Sequence, residues 1–182
     1  MKLFHATDMS RVEPILKNGF YCKHSEDHWL GNGIYFYFDF RLAQWWATNP
    51  TSKFGIKITN SAILFVDISI DKSKILDLRT LDGYSECLRI YKEFNEYATR
   101  YLEDDVKHSK KKFRCSFFDY IFRSYEIDCI IGSFVHKNKA YLKSFPECDL
   151  DQMRLFDLPF AETQICVRQN IISPTDIKII EE

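Results

Sequence analysis

The sequence predicts one α+β domain, and three observations carry that expectation. Its 182 residues are 46% apolar, enough for one compact unit with its own core. Helix-periodic stretches cluster early and in the middle while strand-like runs fill the rest, so the pattern does not alternate as a doubly wound parallel sheet would. No Gly-x-Gly-x-x-Gly and no Walker lysine follow a strand, which makes a Rossmann site and a P-loop poor fits.

The elements follow in order. Lys2 to Ala6 reads as a first strand. Ser10 then caps a helix with apolar Val12, Ile15 and Leu16, Pro14 in its first turn and Gly19 as its stop. Phe20 to Leu30 is a polar loop holding His24, His28 and Trp29. Gly33 to Phe38 reads as a strand, and Arg41 to Thr48 as a helix ended by Asn49-Pro50. Phe54 to Lys57 and Ile63 to Ile70 are strand candidates, with Lys74 to Asp77 extending the sheet edge. Ser85 to Leu102 has helical periodicity, with Leu88, Tyr91, Phe94, Tyr97, Ala98 and Tyr101 near one face. Phe117 to Tyr125 reads as another helix, Cys129 to Phe134 as a buried strand, and Lys143 to Pro159 as a loop. Gln164 to Arg168 and Ile177 to Ile180 close the chain as strands.

Composition narrows the function classes. A formal net charge of −1 argues against a strongly basic nucleic-acid binder. The 16 Phe and 10 Tyr belong mostly to the core, with some left to line a pocket. Six cysteines, at 22, 87, 115, 129, 148 and 166, include no Cys-x-x-Cys pair. They read as free thiols in a reducing compartment, and with no leader and no bilayer-length apolar run the expected location is cytoplasmic, away from membranes. Cys22, His24 and His28 supply only three local ligands, so a surface loop is the expectation there and no metal is. Lys107 to Arg114 is a dense cationic run that can neutralise phosphates or simply be a solvated helix start. No nucleophile elbow is present.

The most informative segments are Leu3-Phe4-His5-Ala6-Thr7, Gly31-Asn32-Gly33-Ile34-Tyr35-Phe36 and Ala43-Gln44-Trp45-Trp46-Ala47. The paired glycines let backbone turn sharply or approach another group closely, and Asn-Gly also suits a simple hairpin turn. In this order the segments resemble the NAD-binding half of an ADP-ribosyltransferase, of the diphtheria-toxin and poly(ADP-ribose) polymerase branch. The resemblance covers roughly residues 2 to 48 and returns at 161 to 180; it does not extend through 80 to 128, where a helical insertion is expected.

That resemblance implies a split β-sandwich flanked by helices, spanning residues 1–182 as one catalytic domain, with NAD as co-substrate. It implies that His5 bonds the adenosine-side ribose, that the Ala6 backbone holds the nicotinamide carboxamide with Thr7 and Gly33 nearby, and that Tyr35 lies against the nicotinamide face. Trp46, or second Trp45, would cover the other face. Where the family carries a glutamate on its late strand, this chain has Gln164, so the triad reads His5, Tyr35, Gln164. Gln164 accepts a hydrogen bond but cannot act as a base; Glu162, two residues earlier on an extended segment, points the same way and can supply the carboxylate. The implied activity is therefore transfer of a single ADP-ribose to a macromolecule, nucleic acid being slightly favoured over protein by the cationic run. A toxin or defence effector with an antitoxin partner would fit the resemblance. The rivals are an inactive NAD or ADP-ribose reader and an NAD-dependent RNA 2′-phosphotransferase. The latter needs several arginines, and the N-terminal half offers mainly Arg11 and Arg41.

Overall fold

The computed structural model of the chain describes residues 1–48, 58–135 and 160–180. The expected strand at 54–57, the helix stop at 49–50, the loop at 143–159 and Cys148 lie outside the described residues. Strand β1 (Lys2–Asp8) leads through a single 3-10 turn into α1 (Val12–Asn18). β2 (Ile34–Phe36), α2 (Phe40–Thr48), β3 (Ser61–Asp67) and β4 (Ile75–Asp77) follow. Helices α3 (Leu81–Tyr101), α4 (Asp104–His108) and α5 (Lys110–Ser124) come next. β5 (Cys129–Val135), β6 (Ala161–Val167) and β7 (Ile177–Ile180) are the last strands among the described residues.

Among the described residues the strands form two sheets, ordered β1-β3-β7 and β2-β6-β5-β4. All pairs are antiparallel except β4 with β5. One bridge joins the sheets: Phe4 and Tyr37 exchange backbone N–H···O bonds of 2.9 Å in both directions. The mixed α+β class is as the sequence predicts.

Period-two alternation explains the layers. Leu3, Leu64 and Val66 from the first sheet and Ile34, Phe36, Ile165 and Val167 from the second share one buried cluster, so these faces form the centre of a sandwich. The opposite face of the second sheet, with Leu76, Ile130 and Cys166, packs on Ile90 and Phe94 of α3 and on Phe118, Ile121 and Phe122 of α5. The opposite face of the first sheet, with Phe4, Ala6 and Ile63, packs on Leu42, Ala43 and Ala47 of α2.

Three local expectations are corrected. β1 runs on to Asp8, and Asp8 rather than Ser10 caps the turn ahead of α1; its Oδ1 accepts from the Ser10 N–H at 3.0 Å. An aspartate at a strand end reaches the following amides better than a serine one turn deeper. α3 begins at Leu81 and buries Ile90, Phe94 and Ala98, whereas Leu88, Tyr91 and Tyr101 are exposed. Phe94 and Ala98 are buried as expected, Ile90 joins them in one i, i+4, i+8 row, and the exposed Tyr91 still reaches Phe117 of α5 with ring centroids 5.6 Å apart. The cationic run spans two helices: Lys107 and His108 lie in the last turn of α4, Ser109 caps α5 by accepting from the Lys112 N–H at 3.4 Å, and α5 starts at Lys110, earlier than expected.

Candidate functional site

Two of the three resembling segments, and the late segment with Gln164, fall on neighbouring strands, while Ala43 to Ala47 lies in α2. β1 carries His5, the Phe4–Tyr37 bridge brings β2 beside it, and β6 pairs with β2 in the register Tyr35↔Cys166. His5 Nδ1 lies 2.8 Å from the Tyr35 carbonyl oxygen. A carbonyl only accepts, so Nδ1 carries the proton, and in the neutral ring Nε2 is left as an acceptor. The His5 ring packs on Phe20 and Phe36, with centroids 4.9 and 5.6 Å away. Burial lowers its pKa below the usual 6.5, the bond to Tyr35 works against that, and the Arg11 charge adds to it.

Tyr35 contacts His5 through its backbone, not its ring. Phe36 faces the inter-sheet core that His5 borders, so the Tyr35 ring turns to the opposite face of β2, with the α3–α5 cluster. There the His28 ring lies 5.6 Å from it. The Tyr35 hydroxyl donates to the Gly31 carbonyl at 2.9 Å and accepts from the Leu30 N–H at 2.8 Å. Burial raises its pKa, and it stays a phenol.

Glu162 and Gln164 share the Tyr35 face, because residues two and four before Cys166 point as Cys166 does. Gln164 donates from Nε2 to Glu162 Oε1 at 2.7 Å, and Glu162 is only 2% exposed. Opposite them on β5 stand Gly132 and Phe134. Phe134 meets Trp29 edge to face at 4.5 Å, and the Arg114 guanidinium lies 4.8 Å over the Trp29 ring. β1 and β6 thus flank β2, with His5 on the inter-sheet face and the Glu162–Gln164 pair on the opposite face, so the structure brings each to Tyr35 but not to the other.

The remaining predicted residues do not share one face. Trp46 and Trp45 are half-buried and pack with Phe4, Ala6 and Tyr37. Trp46 therefore stands with Tyr37, two residues beyond Tyr35. Thr7 is buried on the His5 face of β1. The glycine turn is explained by protein contacts. Gly31 has φ +81°, and a Cβ there would lie 2.8 Å from Asp119 Oδ1. Gly33 has no positive φ, but a Cβ would lie 2.5 Å from Cys166 Sγ.

Sequence reasoning missed Asp119 and Tyr37. Tyr37 was legible in principle, since Tyr35 and Tyr37 are one period apart on a strand. Asp119 gives no local signal: it is one acidic residue inside a helix, and its partner Asn32 is 87 positions away. A hollow of about 200 Å3 beside Asp119 is lined by His24, Lys112, Ser116 and Arg123, and a shallow one of about 450 Å3 lies on α1 among Met9, Val12 and Leu16. Both lie apart from His5 and Glu162. Among the described residues, no three His, Cys, Asp or Glu side chains are grouped to hold a metal ion, Cys22, His24 and His28 included. Five described cysteines are free. No helix among the described residues is long and apolar enough to cross a membrane.

No protein-family model matches the chain. An uncharacterized protein of Methanocaldococcus jannaschii is 30% identical to it over 101 residues, which is 55% of this chain and 47% of that protein. The chain thus spans about half the length of this curated relative.

Proposed function

We propose that the chain is an NAD-dependent mono-ADP-ribosyltransferase with the split β-sandwich its N-terminal segments resemble. One observation carries the reading. His5, Tyr35 and the Glu162–Gln164 pair come from segments far apart in sequence and lie on the adjacent strands β1, β2 and β6, His5 bonded to the Tyr35 backbone on the inter-sheet face and the Tyr35 ring sharing the opposite face with the pair. The two-sheet α+β architecture is compatible with it at a coarser level.

The chemistry asks little covalent work of the protein. The bond between ribose C1′ and the nicotinamide nitrogen breaks, its electron pair leaves with neutral nicotinamide, and the acceptor attacks the cationic sugar carbon. Positioning and charge stabilisation dominate such a step. His5 supplies a neutral ring whose Nε2 accepts from a ribose hydroxyl. Glu162 supplies the negative charge opposite the developing cation, and Gln164 holds that carboxylate by its 2.7 Å bond. Tyr35 of β2, and Tyr37 just beyond it with Trp46 alongside, would supply flat aromatic surface for nicotinamide. Ala6 and Thr7 on β1 and Gly33 before β2 would line the same co-substrate. Lys110 and Lys111, exposed at the start of α5, favour nucleic acid as acceptor over protein.

The test is to supply NAD labelled in its adenylate half with RNA, DNA and protein fractions, and to measure nicotinamide release. Label is expected in a nucleic-acid fraction, with one nicotinamide released per transfer. Glu162→Gln is expected to slow transfer about 100-fold or more, because it removes the charge and keeps the shape. Intact NAD with no labelled fraction sinks the transferase. A second reading, a reader that binds NAD without cleaving it, draws on the burial of Glu162 and its engagement by Gln164. NAD binding without nicotinamide release selects it.

A further inference from the structure

We propose that Asp119 of α5 is a positioning residue that holds the Gly31–Gly33 turn, and through it Tyr35, in the geometry that binds NAD. This role rests on the NAD reading above. Asp119 uses both carboxylate oxygens on one residue. Oδ1 accepts from the Asn32 backbone N–H at 2.6 Å, and Oδ2 accepts from Asn32 Nδ2 at 2.7 Å. Asn32 in turn accepts from the Ser25 N–H at 2.7 Å and donates to the Ser25 carbonyl at 2.9 Å. The turn it anchors receives the Tyr35 hydroxyl on Gly31 and gives Tyr35 the Leu30 N–H. Asp119 and Tyr35 thus grip the same few residues of backbone from two sides.

The rest of the α5 face agrees. Arg114 covers Trp29, and the Cys115 thiol donates to the Ser25 carbonyl at 3.3 Å. Phe118 Cβ stands 3.0 Å from where a Cβ on Gly31 would be, so the helix leaves the turn no room to relax. Only a carboxylate suits position 119, because both groups it meets are donors. An amide there accepts from one and confronts the other with a second N–H.

Calorimetric titration with NAD and thermal melting of four proteins test this. Asp119→Asn is expected to weaken NAD binding about tenfold, the loss of one charge-assisted bond in a preorganised turn. Asp119→Ala removes both acceptors, and is expected to weaken NAD binding at least as much as Asp119→Asn. Asp128→Asn serves as the control: Asp128 pairs with Lys74 at 3.6 Å and Arg168 at 3.3 Å, away from the turn. It is expected to lower the melting temperature and leave NAD affinity unchanged. Asp119→Asn or Asp119→Ala binding NAD as the wild type does overturns the role of Asp119 alone. A wild-type chain that does not bind NAD overturns the NAD reading and this role with it.

Discussion

His5 shows how one contact sets a side chain's chemistry. The Tyr35 carbonyl fixes the proton on Nδ1, and burial disfavours adding a second proton. The sign for stability follows from which state binds protons more readily. The folded pKa lies below 6.5, so on acidification the unfolded chain is protonated first and the folded state loses ground. The contribution is complete above pH 6.5 and declines as pH falls below it. Urea titrations at pH 7.5 and 5.5 should therefore show a smaller acid-side loss for His5→Asn, whose amide can keep the donor to Tyr35 but does not titrate. An equal loss in both proteins would assign the pH dependence elsewhere, His28 being the next histidine with a pKa lowered by burial. Local chemistry made His5 legible as a candidate; its tautomer was not, because that depends on a carbonyl 30 residues away.

At the scale of elements, the glycine turn joins three pieces of secondary structure. Gly31 abuts α5, and Gly33 abuts β6. Gly33→Ala would push a methyl group to 2.5 Å from Cys166 Sγ and 2.8 Å from the Val167 carbonyl oxygen. It should cost about 1–3 kcal/mol, the range of an overpacked core, read from the urea midpoint. Adding Cys166→Ala should recover part of that loss and not all, since the Val167 contact is backbone. A neutral Gly33→Ala would mean that β2 shifts freely against β6. The motif was visible in the sequence as two glycines before a tyrosine. Whether they served a ligand or a packed neighbour was not visible, because the neighbours come from residues 118–119 and 166–167.

For the whole molecule the question is whether the helical segment between β4 and β5 is an appendage. α3 and α5 bury Phe94, Phe118 and Ile121 in the same cluster as Leu76, Ile130 and Cys166 of the second sheet. Phe94 is fully buried and has the rings of Phe113, Phe117 and Tyr120 at 5.2, 5.2 and 5.3 Å. Phe94→Ala is expected to cost about 3–5 kcal/mol while unfolding stays a single transition reported alike by far-ultraviolet circular dichroism and by tryptophan fluorescence. Two separated transitions would make the helices an independent unit. Periodicity located α3, yet the expected face included Leu88, Tyr91 and Tyr101, which are exposed. A helix with apolar residues on several sides offers more than one stripe, and only its partner selects between them.

The sequence by itself determined the α+β class, the positions of most strands, the stop at Gly19 and the three segments that bear the resemblance. Each depends on interactions within a few residues: alternation, helical period, turn chemistry. The tertiary structure alone decided that β1, β2 and β6 lie side by side. It also decided that His5 meets Tyr35 through a carbonyl, that Glu162 is held by Gln164, and that Asp119 holds Asn32 from 87 residues away. Donors and acceptors brought together by packing leave no periodic trace in the chain, because burial of the apolar faces sets which strands and helices become neighbours.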